Sequence, residues 1–598
     1  MEQARGERGP LQPESVWRKD TAATIPPPGA AIREWGLAID APLRLDDAEA
    51  HDWAGEADVV VVGLGGAGVS AALEGLERGL SVIALDHYDG GGSSAANGGV
   101  YYAGGGTSIQ REAGVHDDPA MMEAYLRTEV GDVVPDHALR DFCEGSAETF
   151  EWLRRHGAPF SATLHAKKTS YPPLDRFLYH PDSSLAEPFR SHTPPAARGH
   201  RTVRRNGKKP WGLGAGIWEP LRDAALKRGL QLHTQAEARQ LAVDATGRVI
   251  GVRVEMFADP AVQKRYSRLI AKAGAWMAML SPTFPGARFT FARGYHYLAK
   301  ARELERQNRT SAWFRARRGV VLSAGGFICN PEMVRHFAAP YAAGLPNGTL
   351  GDNGSGIMLG VTVGGATGLM ERVSAWRFLS PPASWGRGML VDGTGARYVN
   401  ETWYGARIGD AMVERHGGRG WIVLDAKLFR QSLRDAFAPD TLGFQRDITL
   451  VNAMFASVKA ATPEALARKM GFDPAVFAAT LETYNRAARG EAPDPLFKDG
   501  ADLAVLDQGP FYAIDASVDA RMFPIACMTV GGLLVDETTG AVKARDGGLV
   551  DGLYAAGRNA VGICSNLYVS GLSYADCVWS GRRAARAIAG NGAAAPPG

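Results

Sequence analysis

Six consecutive residues, Gly63-Leu64-Gly65-Gly66-Ala67-Gly68, have the spacing of a phosphate cradle. The apolar run 59–62 before them reads as a buried strand, and the residues after them read as a helix through Leu80, the setting that a G-x-G-x-x-G fingerprint requires. Gly63 permits a tight turn, Gly65 lets backbone approach a pyrophosphate, and Gly68 allows the helix to pack closely on the strand. Free N–H groups at the start of the helix then face the phosphates. Asp86 ends a second expected strand over 81–85, where it can accept hydrogen bonds from ribose hydroxyls. The chemistry supported by this constellation is dinucleotide binding.

The choice between a nicotinamide and a flavin dinucleotide rests on what lies elsewhere in the chain. Near its other end, Gly552-Leu553-Tyr554-Ala555-Ala556-Gly557-Arg558 reads as a short strand running into a glycine turn. Gly571-Leu572-Ser573 then opens a last helix, with Ser573 as its N-cap. FAD is long enough to meet two such distant segments, and amides at the start of the second helix would face the pyrimidine edge of the flavin, where they favour anionic charge. FAD is therefore the expected cofactor.

The elements that position these segments follow from length and punctuation. A chain of 598 residues exceeds one hydrophobic core, so more than one domain is expected. The expected fold class is α/β, a Rossmann-type FAD-binding domain interrupted by an α+β substrate (capping) domain. An N-terminal arm would occupy 1–57, held by Trp17 and Trp35, and the first part of the FAD-binding domain 58–329. The capping domain would fill 330–509, where dinucleotide punctuation stops, and 510–598 would complete the FAD-binding domain. A net charge of +2 gives no reason to expect a nucleic-acid partner. The five cysteines form no C-x-x-C pair, so neither metal binding nor a disulfide framework is indicated and a reducing, cytoplasmic setting fits. Neither a secretory leader nor a run of about 18 apolar residues is visible.

One insertion, over 256–318, stands apart and is expected to be helical. Its stretch 264–318 carries 13 Lys and Arg against two Glu, with aromatic and aliphatic residues interleaved. Such a pattern suits peripheral contact with an anionic membrane surface, or a helical pair covering the core or a subunit interface.

Taken with 90–106, 320–333 (VVLSAGGFICNPEM), 395–404 (GARYVNETWY) and 529–536 (TVGGLLVD), these segments resemble the fumarate reductase and 3-ketosteroid dehydrogenase flavoprotein superfamily over about 57–588. The resemblance implies FAD contacts from Gly63, Gly65, Gly66, Ala67, Gly68, Asp86, Gly92, Ser93, Ser94, Asn97, Gly98, Gly99, Gly325, Gly557, Arg558, Gly571, Leu572 and Ser573. Covalent flavoproteins of the succinate dehydrogenase type place a flavin-linking His shortly before the glycine pair 98–99. This chain has Gly92 there, so noncovalent FAD is expected. Fumarate reductases carry an Arg just after the Asn-Glu motif, whereas Asn400-Glu401 is followed here by Thr402-Trp403-Tyr404-Gly405 and the arginine comes only at Arg407. A small dicarboxylate becomes a poor fit, though Arg407 keeps it open.

The loop 565–573 (SNLYVSGLS) instead resembles that of FAD-dependent 3-oxo-5α-steroid 4-dehydrogenases, which implies that Tyr568, Ser570 and Tyr404 surround a steroid A ring. The 3-ketosteroid 1,2-dehydrogenases carry a Pro-Gly-rich loop, and the absence of proline over 565–573 favours desaturation at C4–C5 over C1–C2. Such a reaction removes a proton α to the ketone and a hydride from the β carbon. Tyr568 and an amide of the Gly571 loop are candidates to stabilise the enolate, and Ser570 and Tyr404 to relay the proton. Trp376, Phe378, Trp385, Trp403, Phe523 and Met528 are candidate walls of a flat apolar pocket. The implied partners are a steroid and an external electron acceptor. An enoate reductase running the chemistry in reverse, and a noncatalytic flavin subunit, are the competing readings.

Overall fold

Val59, Val60, Val61 and Val62 are all buried, as a parallel strand covered on both faces requires. They end β1 (Gly55–Val62), which a crossover helix, α1 (Gly66–Glu77), connects to β2 (Val82–Asp86) in parallel register. The computed structural model describes residues 30–169, 171–203, 212–277, 279, 287–380 and 382–590. Trp17 lies outside them. Next come three short strands, β3 (Val100–Tyr102), β4 (Leu178–Tyr179) and β5 (Gly199–Arg201), which join Leu164–His165 in a small separate sheet. The main sheet resumes with β6 (Gln231–Thr234), β7 (Glu237–Val243) and β8 (Val249–Phe257).

After β8 the chain forms two helices, α2 (Pro260–Met277) and α3 (Ala287–Asn308), and returns in β9 (Arg309–Leu322). The helical pattern expected through 318 therefore stops at Asn308. The reason is pairing: Arg309–Arg315 lie antiparallel to β8, so those basic residues belong to the sheet. The second half of β9 runs parallel to β1 on one side and to β10 (Leu549–Ala555) on the other. One 14-residue strand thus joins the late part of the chain to the phosphate-binding part. At the far edge Leu43–Arg44 pairs with Ala242 and Val243, and Trp35 packs against His336 and Phe337.

A further four-stranded sheet, formed by Met389–Val391, Trp421–Leu424, Ser457–Ala460 and Phe511–Asp515, has its own apolar core, which includes Trp385 and Phe523. These two rings contact each other at 5.4 Å. They are core residues, not the pocket walls expected from their type.

The last helix, α4 (Leu572–Gly590), crosses α1 at a glycine. A Cβ on Gly581 would lie 2.2 Å from the carbonyl oxygen of Ala67. Beside the crossing, buried Glu74 accepts hydrogen bonds from Arg582 Nε and Arg586 Nε, each at 2.8 Å. Burial alone would raise its pKa, but the hydrogen bonds and charges of Arg586 and Arg582 prevail and hold it at about 2, against an ordinary 4.5. A depressed folded-state value stabilises the protein above the unfolded value and ceases to do so as pH falls toward 2. Glu74→Gln should therefore cost about 2–3 kcal/mol in denaturant unfolding at pH 7. Between pH 4.5 and about 2 the difference from the parent should shrink.

Candidate active site

The cradle is built by glycines that the protein itself requires. Gly63 has φ +89, and a Cβ there would lie 2.6 Å from Ala324 Cα; one on Gly68 would lie 1.9 Å from Gly63 O. Gly65 differs. A Cβ there would meet Ser94 Oγ at 3.7 Å and nothing closer, so its glycine is not demanded by protein packing. Around it, Gly66 N donates to Ser94 Oγ (2.9 Å), Ser93 Oγ bonds Asp352, and Asn97 Oδ1 receives the Gly99 amide (2.8 Å). Gly92 has φ +46 with only Thr349 Oγ1 near its Cβ position. Asp86 Oδ2 accepts from Leu64 N (2.7 Å) and Oδ1 from the amides of Tyr88 and Gly90, so its carboxylate also shapes the turn.

The late segment closes the other side. Ala67 Cβ and Cys577 Sγ would both crowd a Cβ on Gly557. Arg558 is buried, with one guanidinium nitrogen on Asp352 (2.6 Å) beside Gly325, while its Nη1 has no partner. A buried cationic donor left unsatisfied next to a glycine-lined cleft fits an acceptor-rich group such as FAD.

Gly571, at φ +89, turns the chain into α4; its carbonyl accepts from Tyr102 N of β3 (3.2 Å) and from Ala575 N (3.1 Å). The helix begins at buried Leu572, so Ser573 lies in its first turn and not at the N-cap. Its side chain lies close enough to the Tyr568 phenol to work against the rise in its pKa. The Gly571 amide donates to Tyr568 Oη (3.1 Å), so it supports that phenol and does not face a ketone itself. With its oxygen so engaged, Tyr568 is left with an O–H to donate. Burial pushes its pKa up to about 12 despite these two neighbours, which keeps it a neutral donor. Trp376 stacks on the ring at 4.9 Å.

Ser570 is positioned by its amide on Pro181 O (3.2 Å). Its hydroxyl accepts from Tyr179 Oη (3.1 Å) and lies near enough to the Tyr404 phenol to work against the rise in its pKa. Tyr404 precedes a helix, Gly405–Arg415, and its amide donates to Ser183 Oγ (2.8 Å). A Cβ on Gly405 would lie 2.4 Å from Phe378, whose ring meets Tyr404 edge-on at 5.3 Å. Desolvation, reinforced by Tyr568 and Tyr179, raises the Tyr404 pKa well above its ordinary value. All three residues singled out in the sequence thus meet in one buried place.

Tyr179 is a fourth hydroxyl there, absent from that selection. It ends β4, two residues long, in a proline-rich stretch too short for any periodic signal. The aromatic run Phe177-Leu178-Tyr179 between Pro173 and Pro181 is the trace it leaves.

Other charged groups near the site are paired, although Arg407 keeps one buried nitrogen, Nε, without a partner. Arg407 donates to Thr128 O (2.7 Å) and Glu129 (2.9 Å) and lies over the rings of Phe189 and Trp403. It is paired with Glu129, which engages the side chain on which the dicarboxylate alternative rests. Glu401 is held at about 2 because Arg397 and Lys498 outweigh the effect of its burial. It braces Arg397, Lys498 and the Leu390 amide below Tyr404.

A mixed sheet whose central strands run parallel, with a glycine cradle after β1, a crossover helix and a returning late strand, is the architecture of a dinucleotide-binding flavoprotein. The chain belongs to the FAD binding domain family, matched over residues 58–569. It is 34% identical to the 3-oxo-5-alpha-steroid 4-dehydrogenase of Comamonas testosteroni over 527 residues, 86% of this chain and 95% of that one. It is 26% identical to a 3-oxosteroid 1-dehydrogenase of Mycolicibacterium smegmatis over 86% of this chain and 93% of the relative. Its fold matches the crystal structure of 3-ketosteroid-delta4-(5alpha)-dehydrogenase from Rhodococcus jostii RHA1 in complex with 4-androstene-3,17-dione. There the TM-score is 0.75 and the identity 28%, covering 92% of this chain and 100% of that one. The expected α/β fold, superfamily and FAD cofactor are borne out.

Proposed function

We propose that this protein desaturates the A ring of a 3-ketosteroid between C4 and C5, using noncovalently bound FAD and an external electron acceptor. The observation that carries this reading is the convergence of Tyr404, Ser570 and Tyr179 beside Tyr568, in a place walled by Trp376 and Phe378. FAD supplies the hydride acceptor. Tyr568, a neutral donor, holds the ketone oxygen and stabilises the enolate as charge develops. Ser570 and Tyr404 receive the α proton. A phenol this deeply buried is a poor terminal base, so a proton reaching either group needs a next carrier. Tyr179 provides it.

The cradle residues Gly65, Gly66, Ser94 and Arg558 would hold the pyrophosphate and isoalloxazine portions of FAD. The absence of proline over 565–573 and the higher identity to a 4-dehydrogenase than to a 1-dehydrogenase support C4–C5 over C1–C2. Cysteines left unpaired in the fold suit a reducing cytoplasm.

The deciding experiment is anaerobic titration of the yellow protein with 5α- and 5β-3-ketosteroids while flavin absorbance is followed. Bleaching by a saturated 3-ketosteroid, with the 4-ene as product, is expected. Bleaching by none of them would sink the reading, and a 1-ene product would redirect it. Tyr179→Phe should lower the flavin reduction rate about tenfold with FAD content unchanged. A group that only packs would leave the solvent isotope effect on that step at its parent value, and this variant should change it.

A further inference from the structure

The α2–α3 hairpin has two unlike faces. Its inner face is fixed to the FAD-binding domain. Tyr266, Ala301 and Leu304 bury against Phe257, the Tyr266 hydroxyl donates to Glu305 (2.6 Å), and Arg309 holds the same carboxylate (2.9 Å). The outer face is basic. On α2, Lys264, Arg265, Arg268 and Lys272 are exposed at spacings that place them on one side of a helix. On α3, Arg293, Lys300, Arg302 and Arg306 are exposed.

Against these eight cations the hairpin turns one carboxylate outward, Glu303, which pairs with Arg306. With a net charge of only +2 for the whole chain, this density is local. Among the cations lie large apolar side chains in water: Phe289 is 68% exposed, Tyr295 59% and Met279 57%.

Cations flanking exposed aromatic and aliphatic groups match a surface that is anionic outside and apolar just beneath. A second copy of the same face would set eight cations against eight, and a nucleic acid would answer the charges while leaving Phe289 and Met279 unburied. We propose that the outer face of this hairpin docks on an anionic lipid bilayer. Among the described residues no helix is long and apolar enough to cross a membrane, so the contact is peripheral. The rigid inner face fixes how the docked enzyme is oriented. This inference stands apart from the steroid reading, because its test measures no turnover.

The FAD-loaded full chain is sedimented with vesicles of phosphatidylcholine alone, or with about 30% phosphatidylglycerol. Partition should be at least about tenfold stronger on the anionic vesicles and fall about tenfold when salt is raised from about 50 to about 300 mM. The triple change Lys264→Glu, Arg268→Glu and Lys272→Glu should abolish the anionic preference. Phe289→Ser with Tyr295→Ser should weaken binding while keeping its salt dependence. Parent FAD content shows that each variant is folded. The proposal is overturned if the parent ignores anionic vesicles, if the charge reversal binds as the parent does, or if the parent self-associates through this face and the Phe289/Tyr295 variant merely becomes monomeric. The salt series needs no variant and decides alone if a variant fails to fold.

Discussion

Tyr404→Phe and Ser570→Ala should each keep FAD and lose about 10²- to 10⁴-fold in the rate of flavin reduction by a saturated 3-ketosteroid. Each change deletes one oxygen from a cluster of hydroxyls in which Ser570 accepts from Tyr179 and lies beside Tyr404. Neither alters the backbone that holds the cluster, because Tyr404 is placed by its amide on Ser183 and Ser570 by its amide on Pro181. The double variant should be hardly slower than the worse single one, since groups acting as a unit are not additive. Additive losses would mean two separate roles, and parent rates in both single variants would remove the relay altogether. Steroid affinity, measured by flavin spectral shifts, should change little in either.

The second large effect concerns the cofactor. Gly65→Val should yield folded protein whose FAD affinity is down about 100-fold or more. Its backbone angles, φ −76 and ψ −159, are open to any L-residue, and the Cβ position meets no protein atom closer than 3.7 Å. The added side chain therefore points into the space beside the cradle, where the proposed reading puts the pyrophosphate, and not into the protein. Gly68→Ala makes the contrast, because its Cβ would lie 1.9 Å from Gly63 O and the fold itself must yield. Isolation of Gly65→Val with a full complement of FAD would show that the pyrophosphate does not pass over Gly65.

How much of this was legible in the sequence depends on the range of the interactions involved. The cradle could be read because a strand, a glycine turn and a helix are set by neighbours along the chain, and the glycines at 63 and 68 answer to contacts of that same local unit or its adjacent strand. The resemblance of the 565–573 loop pointed to Tyr568, Ser570 and Tyr404. Ser573 is expected at the N-cap by its type alone, but the helix begins at Leu572, two residues before the first position that such a cap would give, directly after the positive φ of Gly571. The end of the basic insertion was misjudged because periodicity does not show that Arg309–Arg315 have a partner in β8. Trp385 and Phe523 look like pocket walls by composition and are core by contact.

From the sequence by itself, a dinucleotide cradle at 63–68 and a hydroxyl-bearing loop before the last helix are expected, each from spacing within a few residues. FAD followed from pairing that cradle with a distant late segment and from the family resemblance, and the family match bears it out. Only the tertiary structure decided that Tyr179 joins Ser570, that Arg407 pairs with Glu129, and that the Gly571 amide serves Tyr568. Those contacts join segments brought together by sheet pairing and burial, and no local pattern in the chain encodes which distant side chain will arrive.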